Sequence, residues 1–335
     1  MTNTLPVGDC WGVSSLRQHA GFPFRGRYVA PIGTCLVQWD MTNHKCQGES
    51  TSSQIHQDLV TVMVQNFSEE VLTVGFGGEV KIWKGEEWDL MVSFQSPTDN
   101  VIHGSWSLDG NAFSLCSKGP RQKLLVYSMN RDIENHTQNP SVIEKWSFPA
   151  PQQLENTVDV QENKRKIYPC FNASIFKSNG ELLAVYQTKD VCELFLFSAE
   201  GELLKRSAIA PLGESKNDMQ CISSVYNDTT VAVGVQRGIF GFYDVRSLEL
   251  IAVIQSTGSP RICLWDGDLF VTMSYVSGVM SFWDSNGVLL KEVSGMVIMH
   301  YLFMCLCLFI FTFNYALLGS RSYYLTLFIS FSAVS

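Results

Sequence analysis

The 335-residue sequence lacks the patterns that most enzyme classes require. It has no Gly-x-Ser-x-Gly elbow, no Walker loop and no dinucleotide-binding fingerprint. Its six histidines show no metal-ligand spacing, and its ten cysteines form no Cys-x-x-Cys pair. We therefore expect no catalytic site, no metal and no cofactor. We interpret the scattered cysteines as packing residues of a reduced, intracellular protein.

Positive charge is also scarce. The chain has 24 Lys and Arg against 32 Asp and Glu, which gives a net charge of −8. Since net charge does not draw such a chain to phosphate backbones, we expect no general nucleic-acid binding. The N-terminus has neither the basic nor the apolar region of a secretory signal, so the expected localisation is cytoplasmic. The basic run Lys164, Arg165 and Lys166 leaves the nucleus open as an alternative.

What the sequence does contain is a recurring apolar segment that closes on an aromatic residue. The closing aromatics are Trp39, Trp83, Tyr127, Phe197, Tyr243 and Trp283. Successive closing aromatics are 44, 44, 70, 46 and 40 residues apart. Three of these aromatic residues are followed by Asp. A period of about 40–45 residues is typical of propeller blades. Because a single blade cannot bury its own faces, the repeated units must pack on one another.

Each unit is predicted to hold four strands. Apolar runs rich in β-branched and aromatic residues alternate with Gly, Asp, Asn and Ser. The predicted strands, a to d, are residues 59–64, 71–76, 79–83 and 88–94 in unit two, 101–106, 112–117, 123–128 and 142–148 in unit three, and 171–176, 182–187, 193–197 and 203–209 in unit four. In unit five they are 221–226, 230–235, 239–243 and 248–254, and in unit six 261–265, 269–273, 279–283 and 288–293. Unit one is weak, and its first two strands are placed at 10–16 and 27–32. The sequence thus predicts an all-β fold. This fold is a propeller of about six four-stranded blades, or a truncated seven-bladed propeller.

Several of these segments resemble the WD-repeat β-propeller family. The matches are Trp39-Asp40, Trp283-Asp284 and Tyr243-Asp244, where Tyr replaces the Trp. The stretch 104–110 is similar to the family's turn between strands a and b. The resemblance covers roughly residues 30–293. It implies a propeller that serves as a protein-interaction scaffold. The family's Gly-His pair before strand a is absent from every unit, so hydrogen bonds from that His to the Trp-Asp strand are not expected here.

The chain divides into three predicted regions. Residues 1–32 form the weak first part of blade one, residues 33–295 form the propeller with a polar insertion at 130–168, and residues 296–335 form an apolar tail, predicted to be helical. Arg321 is the only charged residue in the tail, and the run from Val297 to Leu318 is long enough to cross a bilayer. The tail is either a membrane anchor or a non-native C-terminus, such as translated intron sequence.

The loops of the predicted propeller are polarised. The b–c and d–a loops open on one face, and the a–b and c–d turns open on the other. The b–c loops hold the candidate partner-binding residues Phe76, Lys118, Arg121, Lys189, Arg237 and Tyr275. The opposite turns carry mainly acidic residues, among them Glu70, Asp109 and Asp284.

This basic-aromatic face suits an acidic or phosphorylated peptide, because Arg binds carboxylate or phosphate through two parallel hydrogen bonds. Our main functional hypothesis is a non-catalytic scaffold or adaptor that docks a protein or peptide on this face. One alternative is a membrane-tethered adaptor anchored by residues 297–318. The other is a propeller hydrolase, suggested only by Ser107-Leu108-Asp109, which begins like an Asp-box turn.

Overall fold

Every strand that the structure describes belongs to one of six four-stranded antiparallel sheets. The structure is a computed structural model that describes residues 22–24, 27–40, 51–66, 68–84, 88–118, 122–131, 140–149, 170–187, 192–209, 219–222, 229–235, 238–257, 262–266, 269–274 and 279–293. In each sheet the strands follow chain order from a to d. The predicted all-β fold with six four-stranded units is confirmed. We call the sheets blades one to six.

The strands have the following bounds. Blade one holds β1 (Phe22–Phe24), β2 (Arg27–Ile32), β3 (Cys35–Asp40) and β4 (Thr51–Gln54); blade two holds β5 (Val60–Gln65), β6 (Glu70–Gly75), β7 (Glu79–Lys84) and β8 (Asp89–Gln95); blade three holds β9 (Val101–Trp106), β10 (Ala112–Ser117), β11 (Lys123–Asn130) and β12 (Ser141–Pro149). Blade four holds β13 (Cys170–Phe176), β14 (Leu182–Gln187), β15 (Cys192–Phe197) and β16 (Leu203–Ala208); blade five holds β17 (Met219–Ile222), β18 (Thr230–Val235), β19 (Ile239–Asp244) and β20 (Leu250–Gln255); blade six holds β21 (Ile262–Asp266), β22 (Leu269–Ser274), β23 (Val279–Trp283) and β24 (Leu289–Val293).

The predicted strands of units two to six agree with these bounds to within two residues, apart from strand a of unit five. That strand was expected at 221–226, but β17 covers Met219–Ile222 and residues 223–228 lie outside the described part. In unit one, Arg27–Ile32 is confirmed as a strand. The first strand of its sheet is Phe22–Phe24. The predicted strand at 10–16 lies outside the described residues.

The hydrophobic core lies between the blades. Strands b and c have apolar residues in succession because both of their faces are covered; every residue of β6 and β14 is buried. Five apolar clusters each join one blade to the next, from blades one and two through to blades five and six. Between blades three and four, for example, Phe148 packs edge-on against Phe197 and Phe171. Each blade therefore depends on its neighbour to exclude water.

The innermost strands of neighbouring blades lie side by side, β5 next to β9 and β9 next to β13. This arrangement brings the loop after strand b close to the loop that enters the next blade. The division of the chain into three regions stays a prediction, because residues 1–21 and 294–335 are outside the described part. Among the described residues, no helix has the length and apolar character needed to cross a membrane.

Candidate partner-binding face

The face formed by the b–c and d–a loops exposes two large apolar side chains next to each other. Phe76 follows strand β6 directly and is 53% exposed, and Leu59 precedes β5 and is 52% exposed. The backbone N–H of Phe76 donates to the carbonyl of Leu59 at 2.8 Å. These two side chains therefore form a small exposed apolar patch on hydrogen-bonded loops.

A chain of backbone hydrogen bonds continues from this pair to Lys118. The N–H of Asn100 donates to the carbonyl of Phe76 at 3.0 Å, and the N–H of Lys118 donates to the carbonyl of Asn100 at 3.0 Å. Asn100 adopts a left-handed conformation with a φ of 52°, which Asn tolerates better than most residues. The structure therefore brings Phe76 and Lys118, two of the six predicted residues, onto one connected strip across blades two and three.

The turn beside Phe76 is held by close packing. Gly78 has a φ of +86°, and a Cβ atom there would lie 2.7 Å from the carbonyl oxygen of Thr98. The carbonyl of Gly78 also accepts a hydrogen bond from the N–H of Ser96 at 2.9 Å. Only glycine fits this position, so the b–c loop of blade two rests directly on the d–a loop that leads into blade three.

The other four predicted residues, Arg121, Lys189, Arg237 and Tyr275, lie outside the described residues. In chain order each falls between strands b and c of its blade. Their convergence on one surface stays a prediction.

The charge of this face is more mixed than the b–c loops alone indicate. Exposed Asp58 and Asp99 lie in the d–a loops on either side of Phe76, and a Cβ atom at Gly77 would meet a carboxylate oxygen of Asp58 at 2.6 Å. The sequence argument counted only the b–c loops. Around Phe76 the described surface thus combines apolar area with acidic side chains, and Lys118 supplies positive charge one step further along the strip.

On the opposite face, several acidic residues stabilise their own turns. Asp284 accepts from the N–H groups of Asn286 and Val288 at 2.9 and 2.8 Å. Asp109 accepts from the Ser107 hydroxyl at 2.6 Å and from the N–H of Asn111 at 3.0 Å. The bond from Val288 is the main reason why the pKa of Asp284 is below its ordinary value. Both carboxylates therefore stabilise their own turns, as Asp side chains commonly do by accepting bonds from backbone N–H groups nearby.

Glu70 was predicted to belong to that acidic surface, but it is buried. It is 1% exposed, and its carboxylate accepts from the Arg131 guanidinium at 2.6 Å and from the Asn66 amide at 2.7 Å. Arg131 also donates to the carbonyl of Gly110 at 2.8 Å. Arg131 comes from the end of strand c of blade three, so Glu70 links two blades and presents no charge to a partner.

The structure also corrects the expectation about the histidine network. His56 precedes strand a of blade two, follows Ile55 where the family has Gly, and is 2% exposed. Its Nε2 lies 2.8 Å from the Thr73 hydroxyl, and the indole N–H of Trp83 donates to the same hydroxyl at 2.8 Å. Its Nδ1 lies 2.9 Å from the carboxylate of Glu79. The network forms without the Gly-His pair, because it needs only a His at this position.

The protonation of this network follows from its surroundings. Burial lowers the pKa of His56, although the hydrogen bond to Glu79 partly opposes the shift. Burial alone would raise the pKa of Glu79, but hydrogen bonds from Lys81 and His56 together lower it. If His56 is neutral, it donates from Nδ1 to Glu79 and accepts at Nε2 from Thr73, and every polar group of this network has a partner.

Blade six repeats part of this arrangement. The indole N–H of Trp283 donates to the Thr272 hydroxyl at 3.3 Å, and the Ser256 hydroxyl lies 2.8 Å from the same oxygen. Thr73 and Thr272 are therefore structural residues that sequence reasoning missed. The sequence did carry a signal for them. In both blades strand b has a Thr two residues after the residue that pairs with the closing Trp of strand c.

The described residues contain no group of three or more His, Cys, Asp or Glu side chains placed to hold a metal ion. Among the described residues, Cys35, Cys116, Cys170 and Cys192 form no disulfide. Burial raises the pKa of Cys116 to about 12, so this thiol stays protonated and packs as a small apolar side chain.

Comparisons with known proteins agree with this architecture. No protein-family model matches the chain. No curated protein sequence matches it. Among solved structures, the chain is similar to the crystal structure of Sqt1 from Saccharomyces cerevisiae, a WD-repeat protein, with a TM-score of 0.52 and 12% identity over 83% of this chain and 86% of that one. At this identity the similarity shows the fold alone: the chain is an all-β propeller like that of a WD-repeat protein.

Proposed function

We propose that this chain is a non-catalytic protein-interaction scaffold of the WD-repeat kind, and that it docks a protein or peptide partner on the face of the b–c and d–a loops. The observation that carries the proposal is the pair Leu59 and Phe76. Both side chains are about half exposed, and both lie on loops whose backbones are hydrogen-bonded to each other. A preformed apolar surface of this kind binds a partner at little cost in loop ordering.

The partner we favour is an acidic or phosphorylated peptide. Lys118 lies on the described strip, and Arg121, Lys189 and Arg237 come from b–c loops of blades three, four and five. Steering by local basic groups persists in an anionic protein, because screening limits each charge to about 8–10 Å at physiological salt. A cytoplasmic location for the propeller is supported by Cys35, Cys116 and Cys192, which form no disulfide among the described residues.

Two double substitutions test the basic half of this face. Charge reversal of Arg121 and Arg237 together should abolish partner capture and leave the melting temperature nearly unchanged. Reversal of Glu86 and Glu87, which fall between strands c and d of blade two, should have much less effect. Quantitative affinity purification from cell extract, with and without phosphatase treatment, measures both. Identical partner lists for the parent and both variants would contradict the proposal.

The apolar half is tested by Phe76→Asp, with Leu108→Asp as its matched control. Leu108 is 50% exposed and lies in the a–b turn of blade three, on the opposite face. Phe76→Asp should remove most of the captured partner, and Leu108→Asp should retain it. If both variants lose the partner equally, general surface hydrophobicity explains the capture.

A membrane-tethered adaptor is the second candidate, because residues 297–318 form an uncharged, mostly apolar run. Each Leu, Ile or Phe in such a run contributes about 0.3–0.6 kcal/mol toward insertion. After carbonate extraction, an anchored chain stays with the membrane pellet, whereas release into the supernatant would exclude the anchor. Aggregate at the bottom of a flotation gradient would favour a non-native terminus.

The hydrolase alternative gains no support from its one motif, since Asp109 is engaged in its own turn.

A further inference from the structure

At most of the described blade junctions, apolar side chains of strand d close the outer rim of the propeller. In blades two, three and five, two side chains of strand d face the next blade, as the residues opposite them on strand c show. The pairs are Phe94 and Val92 between blades two and three, Phe148 and Trp146 between blades three and four, and Ile254 and Ala252 between blades five and six. All six side chains pack into the apolar cluster of their junction.

The junction between blades four and five differs. The two equivalent positions on β16 are Ser207, opposite Leu194, and Lys205, opposite Leu196. Leu194 and Leu196 belong to the cluster that joins blades four and five, so Lys205 and Ser207 share the face that looks toward blade five. The rim of this junction therefore has polar side chains where the other three have apolar ones.

The opposing wall comes from strand β20 of blade five and is apolar except for Gln255, which lies opposite Ile239. Val253 lies opposite Gly241, and Leu250 lies opposite Tyr243. Tyr243 packs in the cluster with blade four, so both residues face the junction, and they are 53% and 39% exposed. The residues equivalent to Val253 in blades two, three, four and six are all polar: Ser93, Ser147, Arg206 and Glu292.

Strand β20 is also unprotected as an edge strand. It contains no charged residue, whereas the outer strands of blades two, three, four and six each contain at least one. Charged side chains on edge strands normally prevent pairing with another chain. Across the junction, exposed Lys205 has no ion-pair partner within the described part of the chain, while its neighbour Arg206 lies 3.7 Å from Glu193.

We propose that the rim junction between blades four and five is a second docking site, which binds an extended acidic-apolar segment of a partner protein. An extended strand points alternate side chains to opposite sides. In this junction one set would face Lys205 and Ser207, and the other would face Val253 and Leu250. A segment that alternates carboxylate and aliphatic side chains complements both walls at once. This site is independent of the b–c and d–a face and does not require that face to bind anything.

The test uses a fluorescein-labelled heptapeptide of alternating Asp and Val residues, titrated with the full chain and followed by fluorescence polarisation. A heptapeptide of alternating Lys and Val is the charge control. We expect the Asp-Val peptide to bind and the Lys-Val peptide to bind at least tenfold more weakly. Lys205→Glu and Val253→Asp should each weaken binding of the Asp-Val peptide at least tenfold. Lys205→Glu should in turn improve binding of the Lys-Val peptide.

Two matched variants separate this site from general surface effects. Arg206→Glu reverses the neighbouring charge, which faces blade three, and Ile143→Asp replaces a side chain that is 56% exposed on the outer strand of blade three. Both should change the affinity less than twofold. The urea midpoint of every variant is compared with that of the parent, so that a loss of binding is assigned only to folded protein.

Three outcomes would overturn the proposal. The first is an unchanged polarisation of the Asp-Val peptide at concentrations of the parent up to about 1 mM, which would place any Kd above that value. The second is an equal loss of affinity in Lys205→Glu and Arg206→Glu. The third is a dimer of the chain, detected by light scattering, that Val253→Asp dissociates and that the peptide does not compete with. In that case β20 pairs with a second copy of itself.

Discussion

Blades two and six close strand c on the same residue, a Trp whose indole N–H donates to a Thr of strand b, but they complete the network differently. In blade two the Thr73 hydroxyl also meets His56, which in turn meets Glu79. In blade six the Thr272 hydroxyl meets Ser256, and Val279 occupies the position of Glu79. The Trp-Thr bond is common to both blades, and the outer half of the network is replaceable. In both blades the tryptophan of strand c bonds to a threonine hydroxyl of strand b, and this hydroxyl meets a histidine in blade two and a serine in blade six.

The two blades also differ at the start of strand b. Blade two has the buried Glu70, bonded to Arg131 of blade three, and blade six has Leu269 at the equivalent register position. A buried carboxylate is stable only when paired, whereas a leucine at the same place packs without a partner. Blade two is therefore more sensitive to the loss of single polar groups, and three substitutions can measure how much.

The largest effect is expected from Arg131→Met. This change leaves the buried Glu70 carboxylate with the Asn66 amide and the more distant Lys84, whose Nζ lies at 3.8 Å. Removing one partner of a buried ion pair costs about 3–5 kcal/mol. Because Arg131 is partly exposed, we expect a loss of about 3 kcal/mol. Urea denaturation followed by tryptophan fluorescence measures the free energy of unfolding. Lys145→Met, which breaks an exposed pair with Glu200, should cost less than about 1 kcal/mol. Equal losses would show that the Glu70 link has no special role.

Thr73→Val should have the next largest effect, because it leaves His56 Nε2 and the Trp83 indole N–H buried without their partner. Each buried unsatisfied group costs about 1–3 kcal/mol, so we expect a loss of about 2–3 kcal/mol. Thr272→Val makes the same change in blade six. It should cost about half as much, since the Trp283 bond is longer and the Ser256 hydroxyl can reorient. A loss in blade six that equals or exceeds that in blade two would mean that His56 adds nothing to the network.

The smallest effect is a dependence of stability on pH. Burial holds the pKa of His56 below its ordinary value of 6.5, so the unfolded chain takes up a proton at this residue more readily than the folded chain. Stability is then fully present above pH 6.5 and decreases as the pH falls below that value. The melting temperature should fall between pH 7.5 and pH 5.5, and His56→Gln should lower it at pH 7.5 and reduce its slope with pH. An unchanged slope in His56→Gln would show that His56 does not titrate in this range.

Much of the architecture could be predicted from the sequence. The strand bounds of β9, β10, β14, β18 and β23 were predicted without error, because each is a short apolar run closed by Gly, Asp, Asn or Ser, and such signals are local. The weak first blade was harder. Its first strand, Phe22–Phe24, has only three residues and includes a proline, so it carries little of the usual strand pattern.

The candidate site could be predicted only in part. The sequence placed Phe76 and Lys118 in b–c loops, since each follows a predicted strand b. It could not show that Asn100 connects them, because those backbone hydrogen bonds join loops of different blades. It also overlooked Asp58 and Asp99, which lie in d–a loops whose closeness to Phe76 depends on how the blades pack.

The sequence by itself therefore determined the period, the strand order and the closing aromatics, since these depend on residues within a few positions of each other. Only the tertiary structure decided which polar groups are buried and paired. His56 meets Thr73 across 17 residues, and Arg131 meets Glu70 across 61. It also decided that Val253 and Lys205 face the same junction. The physical reason is that hydrogen bonds and burial depend on distance in space, and in a propeller the residues that share a junction come from different blades.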